Sequence, residues 1–173
     1  MTTKTKTETF VYSTFIRTTP EKLWEALTSG DFSEKYWMGF RVELEPKAGG
    51  RIKILPPKGS VGRSDHGGTV LAYEKNKKLT YEWMRERHEN DPKRDGLSRV
   101  TYELTPAGEY VKLVLVHENL IADDVSADGN TFKGINNGWP ACLSGLKSLL
   151  ETGKGCLDFS LMDSYGKLKA KKG

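Results

Sequence analysis

The residues of this chain that are best suited to chemistry are aromatic side chains and one histidine on three predicted strands. Successive side chains of a strand point to opposite faces, so residues that alternate with charged ones share the apolar face. Trp37, which follows the second predicted helical turn, and Trp139, on the last predicted helix, are expected to close the ends of this face. An apolar wall with a few polar groups is typical of small-molecule sites, but such rings also fill cores. The candidate ligand-binding residues are Trp37, Tyr81, Trp83, Tyr102, Leu113, His117 and Trp139.

His117 has three interpretations from the sequence alone. It could donate a hydrogen bond to a ligand carbonyl, or bond to a backbone group or water at the end of its strand. It could also act as an acid or base near neutral pH, with Tyr81 or Tyr102 as a second proton carrier. The last interpretation would make the protein an enzyme, and it requires these groups to converge on one bound atom.

Other catalytic and metal chemistries have no support in the sequence. No GxSxG nucleophile motif is present, and Cys142 lies on a helical apolar stripe. His117 and Glu118 are adjacent on a strand, so they point to opposite faces and cannot share a metal. No phosphate-loop pattern follows His66, and the 123–130 loop lacks the glutamate that ends a calcium loop. We therefore expect no catalytic residue of these kinds, no metal and no cofactor.

Short strands and one long helix would have to position the candidate site. Apolar residues recur three and four apart in the stretch 138–150, which predicts an amphipathic helix that Gly153 ends. A helix from Pro20, capped by Thr19, is predicted to end at Gly30, and a second helical turn covers 31–36. The predicted strands are 10–17, 41–45, 50–55, 68–74, 78–85, 97–104 and 110–118.

The order of these elements predicts an α+β fold. Strands that follow each other across short turns form an antiparallel sheet, whereas a parallel sheet requires alternating strands and helices. We expect a helix-grip fold, in which a curved antiparallel sheet of about six to seven strands wraps around the long C-terminal helix. Residues 1–9 are predicted to form an N-terminal extension, 10–153 the domain, and 154–173 a C-terminal extension with a basic tail.

Composition and charge point to one globular domain without a nucleic-acid surface. The chain has 173 residues, 29% of them charged and 36% hydrophobic, and a net charge of +4. Four lysines lie in the last seven residues, and without them basic and acidic residues are equal at 23 each. A nucleic-acid site needs its basic residues on one folded face. No apolar run approaches the roughly 20 residues of a membrane span, and no secretory signal is present, so we expect a cytoplasmic protein.

Four stretches of this chain resemble the family of proteins related to the activator of Hsp90 ATPase. They are TTPEKLWEALTSGDFSEKYW (18–37), HGGTVLAYEKNKKLTYEW (66–83), SRVTYELTPAGEYVKLVLVHENL (98–120) and GWPACLSGLKSLLETG (138–153). This family is part of the START and Bet v 1-like helix-grip superfamily. The resemblance covers most of residues 8–153 in family order, and it implies a cavity between helix and sheet.

The resemblance implies a kind of binding partner, but it does not specify a single activity. The superfamily includes lipid carriers, hormone sensors, polyketide cyclases and co-chaperone domains, and a shared fold does not determine function. The leading hypothesis is a binding module for a small apolar or amphipathic molecule. The alternatives are a cyclase- or aromatase-like enzyme and a co-chaperone-like module that binds an Hsp90-type chaperone. The apolar residues of 156–165 are expected to pack on the domain or to form a partner surface.

Overall fold

The computed structural model describes residues 6–57, 66–85 and 96–157 of the chain. Most of the predicted partner segment at 156–165 therefore lies outside the described residues. In chain order the elements are β1 (Glu8–Ile16), α1 (Pro20–Thr28), α2 (Gly30–Tyr36), β2 (Arg41–Leu44), β3 (Arg51–Leu55), β4 (His66–Glu74), β5 (Lys78–Arg85), β6 (Ser98–Ala107), β7 (Tyr110–Leu120), a 3-10 turn (Ala122–Asp124) and α3 (Ile135–Thr152).

The seven strands form one antiparallel sheet in the order β1-β7-β6-β5-β4-β3-β2. The predicted α+β class and antiparallel sheet are confirmed, with β1 and β2 at the two edges. Alternating residues of the central strands are buried on one face, which we call the inner face. The buried stripe of α3 packs on this inner face, and α1 and α2 close one end of the core. No described helix is both long and apolar enough to cross a membrane.

The junction between α1 and α2 differs from the prediction. The Thr19 side chain accepts a hydrogen bond from the Lys22 amide, as a capping residue should, and Pro20 begins α1. The prediction that Gly30 ends α1 is wrong, because α1 ends at Thr28 and Gly30 is the first residue of α2. A Cβ at Gly30 would lie 2.7 Å from the Arg41 side chain, so this glycine permits a close approach of α2 and β2.

The hairpin between β6 and β7 is also tighter than predicted. The sequence predicts that this strand ends at residue 104, before a turn that contains Pro106, but β6 continues through Pro106 to Ala107. The Leu104 amide donates to the Lys77 carbonyl on the β5 side of β6. The nitrogen of Pro106 faces that same side, where β5 has already ended at its pair with Glu103. A proline is tolerated there because no ladder hydrogen bond is required of it.

Helix α3 confirms the predicted apolar stripe and its stop. The stripe residues Trp139, Cys142, Leu143 and Leu146 are buried, and Leu149 and Leu150 pack against the core in part. Gly153 ends the helix in the left-handed conformation, with φ of 78°. The helix begins at Ile135, three residues before the predicted stretch.

Gly145→Ala should lower the free energy of unfolding by about 1–3 kcal/mol, because the added methyl overpacks the contact between α3 and α2. A Cβ at Gly145 would lie 2.5 Å from the Tyr36 carbonyl oxygen, which is backbone and cannot easily move. Gly138→Ala is a matched control in the same helix, since its Cβ would meet only the Phe132 carbonyl at 3.4 Å. That variant should gain up to about 1 kcal/mol from helix propensity. Urea unfolding followed by circular dichroism measures both, and equal stabilities would contradict this packing.

Candidate functional site

The predicted site residues meet in one cluster of rings between α3 and the inner face of the sheet. The Trp139 ring centroid lies 5.3 Å from that of Trp37 and 5.2 Å from that of Trp83. The Trp83 ring is in turn 5.6 Å from the His117 ring. We call this set the aromatic cluster, and its members are Trp37, Tyr81, Trp83, Tyr102, His117 and Trp139.

Cross-strand register explains why these rings share a face. Tyr81 pairs with Val100, and Val100 pairs with His117 on the next strand. Two residues along the sheet, Tyr102 pairs with Leu115. Directly paired residues of an antiparallel sheet have side chains on the same face. The strand parity worked out from the sequence therefore places these side chains correctly, and Leu113, the seventh candidate, is buried on the same face.

His117 is fully buried and takes part in a chain of hydrogen bonds. The indole Nε1–H of Trp139 donates to His117 Nδ1 at 3.0 Å. An indole N–H can only donate, so Nδ1 carries no proton and the imidazole is the neutral form protonated at Nε2. His117 Nε2 lies 3.0 Å from Ser98 Oγ and donates to it, and Ser98 Oγ donates to the Trp83 carbonyl at 3.1 Å. This chain ties α3 to β7, β6 and β5.

The hydrogen-bond chain shows what the two ring nitrogens of His117 contact, which bears on its three interpretations. Both ring nitrogens bond to side chains of the protein, so neither is presented to a ligand carbonyl or to a reacting proton in this arrangement. The side chains of Ser98 and Trp139 are thus hydrogen-bond partners of His117. Ser98 was not among the predicted site residues. Its position has the same parity as Val100 and Tyr102, and a hydroxyl on an otherwise apolar face was the signal available.

Three buried phenols, two of them from the aromatic cluster, and one buried thiol lie close together in the core. Burial raises the pKa of Tyr36, Tyr81, Tyr102 and Cys142, so all four groups are neutral at physiological pH. A hydrogen bond from Tyr102 partly offsets the raised pKa of Tyr81. The neutral thiol of Cys142 is a poor nucleophile. Tyr36 was not in the predicted set, although its place beside Trp37 at the end of α2 could have suggested it.

The cluster is most open on the side of β5 and the turn after α2. Trp83 is half-buried, and the neighbouring Trp37 is stacked on it with ring centroids 6.2 Å apart. Phe40 lies 6.4 Å from Trp37. The turn between them has left-handed backbone at Met38, with φ of 50°, and at Gly39. Strained turns of this kind recur beside functional sites.

The described residues hold no group of three or more histidine, cysteine, aspartate or glutamate side chains that could bind a metal. In the loop compared above with calcium ligands, the Asp124 carboxylate accepts a hydrogen bond from the Ile121 amide at 2.9 Å. That carboxylate closes the 3-10 turn and has a structural role.

Comparisons with known proteins agree with the fold. A family model described as Activator of Hsp90 ATPase homolog 1-like protein matches residues 17–151. A protein from Mesorhizobium loti is 32% identical, with a TM-score of 0.64 over 83% of this chain and 96% of that one. The Aha1 dimer from Colwellia psychrerythraea is 23% identical, with a TM-score of 0.61 over 86% and 99%. An HSP90 activator from Plasmodium falciparum is 24% identical, with a TM-score of 0.54 over 76% and 86%. No curated protein matches the chain.

An antiparallel sheet that packs a C-terminal helix on its inner face, with two short helices after the first strand, defines a helix-grip, Bet v 1-like protein. The match over residues 17–151 makes the assignment more specific. The chain belongs to the Activator of Hsp90 ATPase homolog 1-like family, as its four characteristic stretches predicted.

Proposed function

We propose that this protein binds a small apolar or amphipathic molecule at the aromatic cluster, between α3 and the inner face of the sheet. The observation that carries the proposal is the convergence of Trp37, Trp83 and Trp139 beside buried, neutral phenols. Aromatic walls with a few uncharged polar groups are the usual composition of small-molecule sites. The neutral phenols favour an uncharged group on the ligand, since a charged group would lose its hydration without gaining a counter-ion.

Entry would take place beside Trp37 and Trp83. Tyr81, Tyr102 and Trp139 are almost completely enclosed, whereas Trp83 is half-buried at the side of the cluster. Rotation of Trp37 and Trp83 would expose the deeper rings without separating strands. His117 would contribute ring surface and not a hydrogen bond, because both of its nitrogens already bond to Ser98 and Trp139.

Tryptophan emission should report binding directly. Three of the four tryptophans belong to the aromatic cluster, and the fourth, Trp24, bonds instead to the Tyr73 hydroxyl at 3.2 Å. A Trp24→Phe variant therefore emits only from the cluster. Titration with N-phenyl-1-naphthylamine, an uncharged fluorescent probe, should quench this emission saturably at one molecule per chain. Displacement of the probe by medium-chain fatty alcohols or uncharged aromatic metabolites should restore it.

Trp83→Phe and Trp24→Phe form a matched pair of substitutions for this experiment. The first removes ring surface from the proposed site, and we expect it to weaken binding about tenfold, as the loss of an aromatic pair contact would. The second changes a tryptophan outside the cluster and should leave affinity unchanged. Equal affinities in the two variants, or no saturable binding of any compound, would contradict the proposal.

A second candidate function is binding to an Hsp90-type chaperone. It is favoured by the family description and by the similarity to the Plasmodium falciparum protein, which is an HSP90 activator. The test is the steady-state ATPase rate of purified Hsp90 with increasing amounts of this chain, together with co-sedimentation of the two proteins. An unchanged rate and no co-sedimentation at high concentration would exclude this candidate.

A further inference from the structure

Strand β1 is an edge strand whose outer side chains are exposed. Its even-numbered residues from Phe10 to Ile16 face the core, and its odd-numbered residues from Thr9 to Phe15 face outward. Val11 is 59% exposed and Phe15 is 53% exposed, although both are large apolar residues. Proteins usually protect an edge strand with charges, proline or a bulge. The stretch 9–15 contains no charged residue and no proline, and the register shift of the β1–β7 pairing lies at its start, between Glu8 and Phe10.

Helix α3 covers only one end of this edge. The Lys147 ammonium donates to the Phe15 carbonyl at 2.6 Å, and the Arg17 amide donates to the Glu151 carboxylate at 2.9 Å. These bonds show that the backbone groups of odd-numbered residues point away from β7, because such groups alternate along an antiparallel strand. Among the described residues, nothing bonds to the edge groups of Thr9, Val11 and Ser13. The uncovered groups are therefore centred on Val11.

The outer face of the sheet carries an uncharged row that ends at this point. Direct cross-strand pairs connect Val11 to Val116, Val116 to Thr101, Thr101 to Thr80, and Thr80 to Ala72. The hydroxyls of Thr80 and Thr101 are 3.1 Å apart and satisfy each other. The neighbouring row contains the ion pair of Arg99 with Glu118. The uncharged row thus leads to an edge that pairs with no further strand among the described residues.

We propose that β1 pairs in antiparallel fashion with β1 of a second copy of this chain, with the two-fold axis at Val11. Val11 then pairs with Val11 of the second copy, and Thr9 pairs with Ser13 of the second copy. The two sheets become one continuous sheet, and the uncharged row runs through both. A two-fold axis requires a self-complementary surface, and three uncovered residues centred on one position satisfy that requirement.

Charges at the ends of the paired strands are complementary. In this register Glu8 faces Thr14 of the second copy, beside the Phe15 carbonyl that Lys147 binds there. Each Glu8 carboxylate is therefore placed near a Lys147 ammonium of the other chain. No charged residue of β1 faces its own counterpart, so the pairing brings no like charges together.

Sedimentation of the full-length protein over a range of concentrations tests the proposal. We expect a reversible monomer–dimer equilibrium, which Val11→Lys weakens by about 100-fold or more because it places two ammonium groups together on the axis. Leu71→Lys is the matched control, since it adds the same charge at an exposed apolar residue of β4, which three strands separate from β1. Val11 is exposed, so the variant should keep its circular dichroism spectrum.

Disulfide cross-linking tests the register. In a Cys156→Ser background, Val11→Cys should cross-link to itself, because paired Cα atoms in hydrogen-bonded positions are about 5.5 Å apart. Ser13→Cys should not, since its copies would be offset by four residues, or about 13 Å. A monomer at every concentration, or a dimer that survives Val11→Lys, overturns the proposal. If the protein is a monomer, any strand that pairs with the edge of β1 comes from another segment or another protein.

Discussion

His117→Ala is expected to lower the free energy of unfolding by about 3–5 kcal/mol, among the largest effects of any single substitution in this protein. The imidazole is fully buried and connects the Trp139 indole on α3 to Ser98 on β6. Its removal leaves the indole N–H without an acceptor, and it also leaves a cavity among packed rings. Chemical denaturation followed by circular dichroism measures the loss.

Two conservative variants separate the hydrogen bonds from the packing. The amide of His117→Asn can occupy the place of Nδ1 and accept from Trp139, whereas that of His117→Gln can reach the place of Nε2 and donate to Ser98. Each of these two variants should recover part of the free energy of unfolding that His117→Ala loses. In a double-mutant cycle, Trp139→Phe and His117→Ala should be non-additive, because they remove the two ends of one bond. Additive effects, or no recovery in either variant, would contradict the assigned hydrogen-bond chain.

Alkaline conditions should destabilise the protein unusually steeply. Burial raises the pKa of Tyr36, Tyr81 and Tyr102 in the folded state above the value of about 10 that unfolded tyrosine has. Above that pH the unfolded chain loses three protons that the folded chain keeps. The stabilisation is therefore complete below pH 10 and is lost as pH rises toward the folded-state values. Each group contributes about 1.4 kcal/mol per pH unit, so the three together approach 4 kcal/mol per pH unit.

Absorbance and circular dichroism against pH measure this effect together. Ionisation of the three phenols, followed near 295 nm, should coincide with the loss of the folded spectrum. Tyr102→Phe is the control, since it removes one of the three protons and should reduce the slope of stability against pH by about a third. Tyrosinate absorbance from these residues in a chain that is still folded would show that their phenols are accessible, which contradicts their burial.

Much of the fold could be predicted from local patterns. The period of the apolar residues in α3 placed Trp139, Cys142 and Leu146 on the buried stripe, and the turn at 75–77 joined β4 to β5 as expected. Element ends were less accurate. Gly30 was read as a stop because glycine often ends helices, yet it begins α2, since the approach of Arg41 leaves no space there for a side chain.

The sequence predicted which face of the sheet the candidate site residues occupy, but it did not predict their hydrogen bonds. Strand alternation is a local property, so it placed Tyr81, Tyr102 and His117 on one inner face. The partners of His117 are 19 and 22 residues away in the chain. The pairing of β6 with β7 brings Ser98 to it, and the packing of α3 on the sheet brings Trp139. The packing of α3 on α2 also buries Tyr36 and so raises its pKa, and the extent of that burial is not contained in the local sequence.

The amino-acid sequence by itself determined the class of fold, the apolar stripe of the last helix and the inward row of rings, because these depend on periodicities of two and 3.6 residues. Tertiary structure alone decided that His117 is a neutral bridge between α3 and the sheet. It also decided that α3 covers one end of β1 and leaves Val11 uncovered. Both features arise where distant segments meet, and their free energy depends on burial and on hydrogen-bond direction, which a linear pattern does not contain.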